Sequence, residues 1–230
     1  MEKAYSLWMA VVFAACLLAG TSLALDPFSD DFERADSADV GNGWVESEDE
    51  GIIISLTNGE VLVAGTQDVD WERNGISRDL NDASSVSFDF LANENFNVHI
   101  KVTDTNTSAY IELYAWPGGP ITQANSPDGG WPGWVEIEGS QTVADQYNTL
   151  GIERLSASQY NVVHNGAVAG VLENAGLVSI NTILLSSDSA AGTVGSIHID
   201  NVVVDGGSDT SAVKPSGKLS TAWGGIKNAF

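Results

Sequence analysis

The chain has 230 residues, 31 of them Asp or Glu against 9 Lys or Arg, and its net charge of −22 excludes a duplex nucleic-acid binder because phosphates would be repelled. A hydrophobic content of 43% excludes a disordered acidic chain, which lacks the apolar surface to offset its conformational entropy. The 24 Gly, set among short Val- and Ile-rich runs, suit many strands joined by tight turns in one all-β domain.

Residues 1–24 read as a secretory signal peptide: Lys3, an apolar stretch from Leu7 through Leu18, then small residues up to Ala24. That stretch is shorter than the roughly 20 residues of a spanning helix, so the mature chain is expected to be secreted or extracytoplasmic, with no transmembrane helix. Cleavage after Ala24 is preferred over lipoprotein processing at Cys16, because Phe13 sits three residues before the cysteine and the apolar run continues past it. The mature chain then has no cysteine, which removes disulfides and thiolate metal sites.

A sandwich domain is expected over 25–205. The clearest hairpin runs Ile52–Leu56, Asn58-Gly59, Glu60–Ala64, because Asn-Gly supplies the positive φ angles of a two-residue turn. Asn74-Gly75 is a further candidate turn, and Tyr160–His164, Asn165-Gly166, Ala167–Leu172 repeats the hairpin. Alternation places Val86, Phe88 and Phe90 on one face of their strand, Val98, Ile100 and Val102 on one face of the next, and Ile111 and Leu113 on one face of the third. The opposite faces carry Ser87 and Asp89, His99 and Lys101, and Tyr110, Glu112 and Tyr114. Further strands are predicted at Trp134–Ile137, Tyr147–Arg154, Asn181–Ser186 and Ile197–Val204. In the last, Ile197 and Ile199 fall on one face but Val202 and Val204 on the other, so a bulge or an inward-turned Asp200 is expected. About a dozen strands without covering helices imply a two-sheet antiparallel β-sandwich. Residues 206–230 form a flexible linker and a tail carrying Lys214, Lys218 and Lys227.

The string Asp30-Asp31-Phe32-Glu33-Arg34-Ala35-Asp36, followed by Gly41-Asn42-Gly43-Trp44, resembles the opening of secreted bacterial concanavalin A-like (laminin G-like) jelly rolls. The runs Tyr147–Arg154, Tyr160–Gly166 and Ile197-His198-Ile199-Asp200-Asn201-Val202 are similar to later strands of the same group, with Tyr147 where Trp is usual. The resemblance spans residues 28–205 and implies the fold; this architecture carries lectins, hydrolases, lyases and adhesion modules alike. Laminarinase-type members hold two catalytic carboxylates on an E-x-D-x-x-E strand, which this sequence lacks; Glu136-Ile137-Glu138 has the first spacing only. The resemblance also implies a structural Ca²⁺, with Asp31, Glu33 and Asp200 as ligands near the two ends of the domain.

The segment from Trp116 to Trp134 is dense in Trp and Pro and joins strands whose outward faces carry Tyr110, Glu112, Tyr114, Trp134 and Glu136. Sugars stack their C–H faces on indole while carboxylates accept from hydroxyls, so Tyr110, Glu112, Tyr114, Trp116, Trp131, Trp134 and Glu136 are the candidate glycan contacts. The same indoles could instead seal the edge of the core. His99, His164 and His198 lie in separate strands and read as satisfied strand residues rather than zinc ligands. Three functions follow from this. The first is a secreted, non-catalytic module that binds a polysaccharide or matrix glycan, no enzyme being expected without the acid motif. The second is a glycan-active hydrolase or lyase with Glu112 and Glu136, on adjacent strands, as its acid pair. The third is a surface or adhesion domain without a small ligand.

Overall fold

The computed structural model describes residues 28–93 and 95–206; the expected signal segment 1–24, with Cys16, and the tail beyond Gly206 lie outside them. In chain order the strands are β1 Phe28–Asp30, β2 Val45–Ser47, β3 Ile52–Thr57, β4 Glu60–Thr66, β5 Asn74–Ala92, β6 Asn97–Thr103 and β7 Tyr110–Ala115. They continue as β8 Thr122–Ser126, β9 Val135–Glu136, β10 Asn148–Arg154, β11 Gln159–His164, β12 Ala167–Glu173, β13 Ile180–Asp188 and β14 Val194–Gly206. Among the described residues there is no helix, hence none long and apolar enough to cross a membrane.

All pairings are antiparallel, and they form the expected two-sheet sandwich, with the sheets joined through the 19-residue β5. The front sheet runs β2-β5-β13-β6-β7-β8-β9, using the first part of β5, and the back sheet runs β12-β11-β10-β5-β14-β4-β3, using the last part, with β1 on β14. Val61, Val63, Phe88, Phe90 and Ile199 line the inner face of the back sheet and meet Ile100, Val102, Ile111, Leu113 and Leu185 of the front in one buried core. Removing two apolar faces from water is what holds the sheets together.

The β3–β4 and β11–β12 hairpins turn on Asn58-Gly59 (φ 55° and 78°) and Asn165-Gly166 (φ 48° and 78°), as the Asn-Gly pairs predict. Asn74-Gly75 does not turn. It opens β5, and Gly75 is required there by close approach, since a Cβ would stand 2.1 Å from the carbonyl oxygen of Leu185 on β13. Alternation alone predicts Ser87 and Asp89 on the same sheet face as His99 and Lys101. Because β5 crosses between sheets, Ser87 and Asp89 instead pair with β10 and β14 and lie on the back sheet.

The parity break in β14 is a bulge. The register shifts between Asp200 and Val203 with Asn201 at φ 49°, and Ile197, Ile199, Val202 and Val204 are all buried. The D-D-F…G-x-x-W string is tied together at Asp30. Buried Asp30 accepts from the Phe32 N–H, the Arg34 guanidinium, Asn42 Nδ2 and Trp44 Nε1. Burial pushes its carboxyl up, but these donors outweigh burial and hold it below the usual carboxylate range.

Candidate functional site

Strand register lays side chains out in rows on the outer face of the front sheet. Gly75, Ser186, His99, Tyr114, Thr122 and Glu136 form one row across β5, β13, β6, β7, β8 and β9. Leu184, Lys101 and Glu112 form the next row on one side, and Asp188 pairs with Asn97 on the other. His99 thus stands between two acids on diagonal neighbours. Its Nδ1 lies 3.1 Å from Glu112 Oε1 and its Nε2 3.0 Å from Asp188 Oδ1, the second contact being off the line of a well-aligned hydrogen bond. With one imidazole between them, the facing carboxylate oxygens are at most about 8 Å apart.

Arg73, from the turn between β4 and β5, closes the cluster. Its Nε donates to Glu112 Oε1 at 3.1 Å, its Nη2 lies 3.0 Å from the same oxygen as an ion pair, and its Nη1 pairs with Asp188 Oδ2. Asn97 Nδ2 adds a hydrogen bond of 2.9 Å to Asp188 Oδ1. Burial pushes the Glu112 carboxyl up, but the His99 hydrogen bond and charge, with Arg73 and Lys101, hold it below the usual range. Asp188 is held low in the same way: burial raises it, and His99, Arg73 and Asn97 more than reverse this. Both groups are carboxylates at neutral pH.

Above this floor lies a cleft of about 730 Å³, lined by Trp71, Arg73, His99, Lys101, Glu112 and Tyr114, and further by Trp116, Thr122, Trp131, Trp134, Leu184 and Asp188. That volume is in the range of small-molecule sites, roughly 300–1,000 Å³. Tyr114 packs against His99, Trp116 and Trp134 with centroids 4.9, 5.2 and 5.3 Å apart, and Trp131 meets Trp134 edge-on at 5.3 Å. Burial and the charge of Asp188 raise the Tyr114 phenol, against a smaller opposing effect of Arg73, so it stays protonated. The indoles of Trp131 and Trp134 are 62% and 37% exposed, so they wall the cleft rather than seal the core. Thr122 Oγ1 is buried at the cleft without a hydrogen-bond partner.

Of the residues named from sequence, Glu112, Tyr114, Trp116, Trp131 and Trp134 line this cleft. Tyr110 does not. It is buried, its hydroxyl donates to the Gly130 carbonyl at 3.3 Å, and the Lys101 ammonium sits 4.2 Å from its ring centre. Glu136 is exposed on β9, and β8 intervenes between it and the strand of Glu112, contrary to the expected adjacency. Strand spacing and rise put the two Cα atoms about 12 Å apart, and Glu136 takes no part in the cleft lining. The calcium set does not gather either. Asp31 is exposed and accepts the Glu33 N–H, Asp200 accepts from Asn201, and among the described residues no group of three His, Cys, Asp or Glu side chains is placed to hold a metal ion. These donors do not fit a shared calcium site.

Sequence reasoning missed Arg73, Asp188 and Trp71, and read His99 as a satisfied strand residue. Alternation already placed His99 and Glu112 on outward faces of successive strands; the available signal was a histidine and an acid on one sheet face. Asp188 lies just past the predicted end of its strand, which in fact continues to that residue.

The sandwich topology and the cleft across its front sheet define a concanavalin A-like jelly roll. No protein-family model and no curated protein matches the chain. Among solved structures, the chain is similar to a Bacillus licheniformis β-glucanase at 11% identity and TM-score 0.58, covering 78% of this chain and 97% of that one. It is similar to a Crh5 transglycosylase in complex with NAG at 10% identity and TM-score 0.61, covering 80% and 86%. It also matches a sialidase at 16% identity and TM-score 0.60, covering 82% of this chain but only 19% of the sialidase. At these identities the likeness shows the fold. These neighbours, with a lichenase and the LamA catalytic domain from Zobellia galactanivorans, are nevertheless mostly glycan-cleaving or glycan-transferring enzymes. That finding overturns the expectation of a non-catalytic binding module, which rested on the missing E-x-D-x-x-E strand.

Proposed function

We propose that the protein is a glycan-active enzyme that cleaves or transfers a neutral polysaccharide outside the cytoplasm, with Glu112 as the carboxylate facing the reacting sugar. The observation that carries this reading is the ionised pair Glu112 and Asp188, fixed around His99 and Arg73 at the floor of an indole-walled cleft. Glycosidic cleavage builds positive charge on the anomeric carbon, and a carboxylate held in place beforehand stabilises that charge more than it stabilises the ground state. Arg73 and His99 fix the orientation of Glu112, and the low carboxyl keeps it anionic.

Neither carboxyl is held in its acid form, so the proton for the leaving oxygen comes from another group. Burial that raises the Tyr114 phenol also makes it a weak acid, so in the cleft it donates a hydrogen bond to the leaving oxygen while the transferred proton comes from water. A uronate substrate fits poorly: the chain carries −22 overall, and Arg73 is already committed to two carboxylates. That argument also disfavours a lyase, which must neutralise the uronate carboxyl. β-Glucans are the first substrates to offer, given what several fold neighbours are named for.

The test is release of reducing ends, with product sizes, from mixed-linkage β-glucan and laminarin by the full chain and by Glu112→Gln. Turnover that falls at least a hundredfold in the variant, with melting retained, supports the reading. Equal turnover in both proteins, or none on any neutral glycan, refutes it.

A further inference from the structure

We infer that Trp71 is the stacking platform of a second sugar subsite, across the carboxylate pair from Trp131 and Trp134, so that the cleft takes an internal stretch of a glycan chain. This rests on the glycan reading above and adds a residue and a direction to it.

Trp71 sits in the turn between β4 and β5 at φ 58°, a left-handed conformation that bulky side chains rarely adopt. Its indole is 58% exposed and lines the cleft, so burial of the ring does not compensate for the backbone. The surrounding structure holds the turn instead. Fully buried Gln67 donates through Nε2 to the carbonyls of Val69 and Glu72 at 2.8 and 3.1 Å, and buried Asn74 donates to the Glu72 carbonyl at 3.3 Å. The Trp71 N–H donates to the Ser189 carbonyl at 2.9 Å, and Asp70 Oδ1 accepts the Ala191 N–H at 2.7 Å. A flat apolar ring is thus presented at the cleft on a rigid turn, which limits the entropy lost when a ligand stacks on it.

The same turn reaches the chemistry. The Trp71 carbonyl accepts from Arg73 Nη1 at 3.3 Å, and that guanidinium holds Glu112 and Asp188. The Trp71 N–H bond to Ser189 sets Trp71 beside the end of β13, next to Asp188, whereas Trp131 and Trp134 come just before β9 at the far edge of the front sheet, with the Trp134 ring reaching in to 5.9 Å from His99. A chain stacked on both walls crosses the carboxylate pair with sugar units on either side.

The experiment uses calorimetric titration of the full chain carrying Glu112→Gln with β-glucan oligosaccharides of two to six units. Adding Trp71→Ala is expected to weaken the hexasaccharide by about tenfold, with a smaller loss for the disaccharide. Trp71→Gly, which suits the left-handed backbone, should weaken the hexasaccharide equally while melting no lower than the parent. Hexasaccharide affinity within twofold of the parent in both variants, while Glu112→Gln still stops turnover, overturns the subsite and leaves the enzymatic reading standing. An equal loss for short and long chains, with lowered melting in both variants, marks Trp71 as structural and also overturns it. If the parent neither binds nor cleaves any neutral glycan, the enzymatic reading fails and the subsite falls with it.

Discussion

The indole N–H of Trp44 donates to Oδ2 of Asp30 across 2.9 Å, tying together the two ends of the D-D-F…G-x-x-W string. Asn42 Nδ2 reaches the same oxygen at 3.0 Å, and Arg34 Nη1 reaches Oδ1 at 2.6 Å. Asp30→Ala leaves these donors without an acceptor in a buried setting and is expected to cost about 3–5 kcal/mol of stability. Urea unfolding of the variant reads this directly; a loss below about 1 kcal/mol would mean that water replaces the carboxylate at little cost.

The carboxylate pair makes stability depend on acid. Folded Glu112 and Asp188 titrate below their ordinary values, about 4.3 and 3.9 in unfolded chains. Their contribution is therefore complete above those values and is lost as pH falls through the lower folded ones. Their share of the stability is expected to be level from neutral pH to about pH 4.5 and to decline below about pH 4. Glu112→Gln combined with Asp188→Asn should shallow the decline, leaving the part due to Asp30 and Asp104, which are also held low. Unfolding free energy measured across this pH range decides it, and an unchanged slope in the double variant counts against the assignment.

Arg73 contributes positive charge to both acids. Arg73→Met removes it, so both carboxyls should titrate at higher pH and the acid limb of the pH–rate profile on β-glucan should move upward. A rate that drops equally at every pH would show that Arg73 serves only to shape the floor.

Gly75 stands at the β5 end of the His99 row, with room for a hydrogen but not a methyl group beside Leu185 and Ser186. Gly75→Ala should push β5 and β13 apart and cost about 1–3 kcal/mol, visible as lowered melting. Glycan turnover should fall too, because Arg73 lies two residues before Gly75, just ahead of β5, and Asp188 lies two residues after its partner Ser186 on β13. Wild-type melting in this variant would show that the strands can slide to make room.

The front-sheet residues show what was legible. Trp134, Tyr114 and Glu112 were found because alternation fixes which side of a strand a residue faces, Trp131 because its joining segment is dense in Trp and Pro, and all four reach the cleft. Glu136 shares that side but lies beyond β8, so its facing was right and its neighbourhood was not.

By itself the sequence determined the all-β class, the hairpins at Asn58-Gly59 and Asn165-Gly166, the inward and outward faces, and the irregularity at Asp200-Asn201. These follow from local rules: turn chemistry needs positive φ, and side chains alternate with a period of two. Only the tertiary structure decided that Arg73 meets Glu112, 39 positions on, and Asp188, 115 positions on, with His99 between the two acids. Partners at that distance are set by strand order and register, which the packing of the whole sandwich selects and no local pattern encodes.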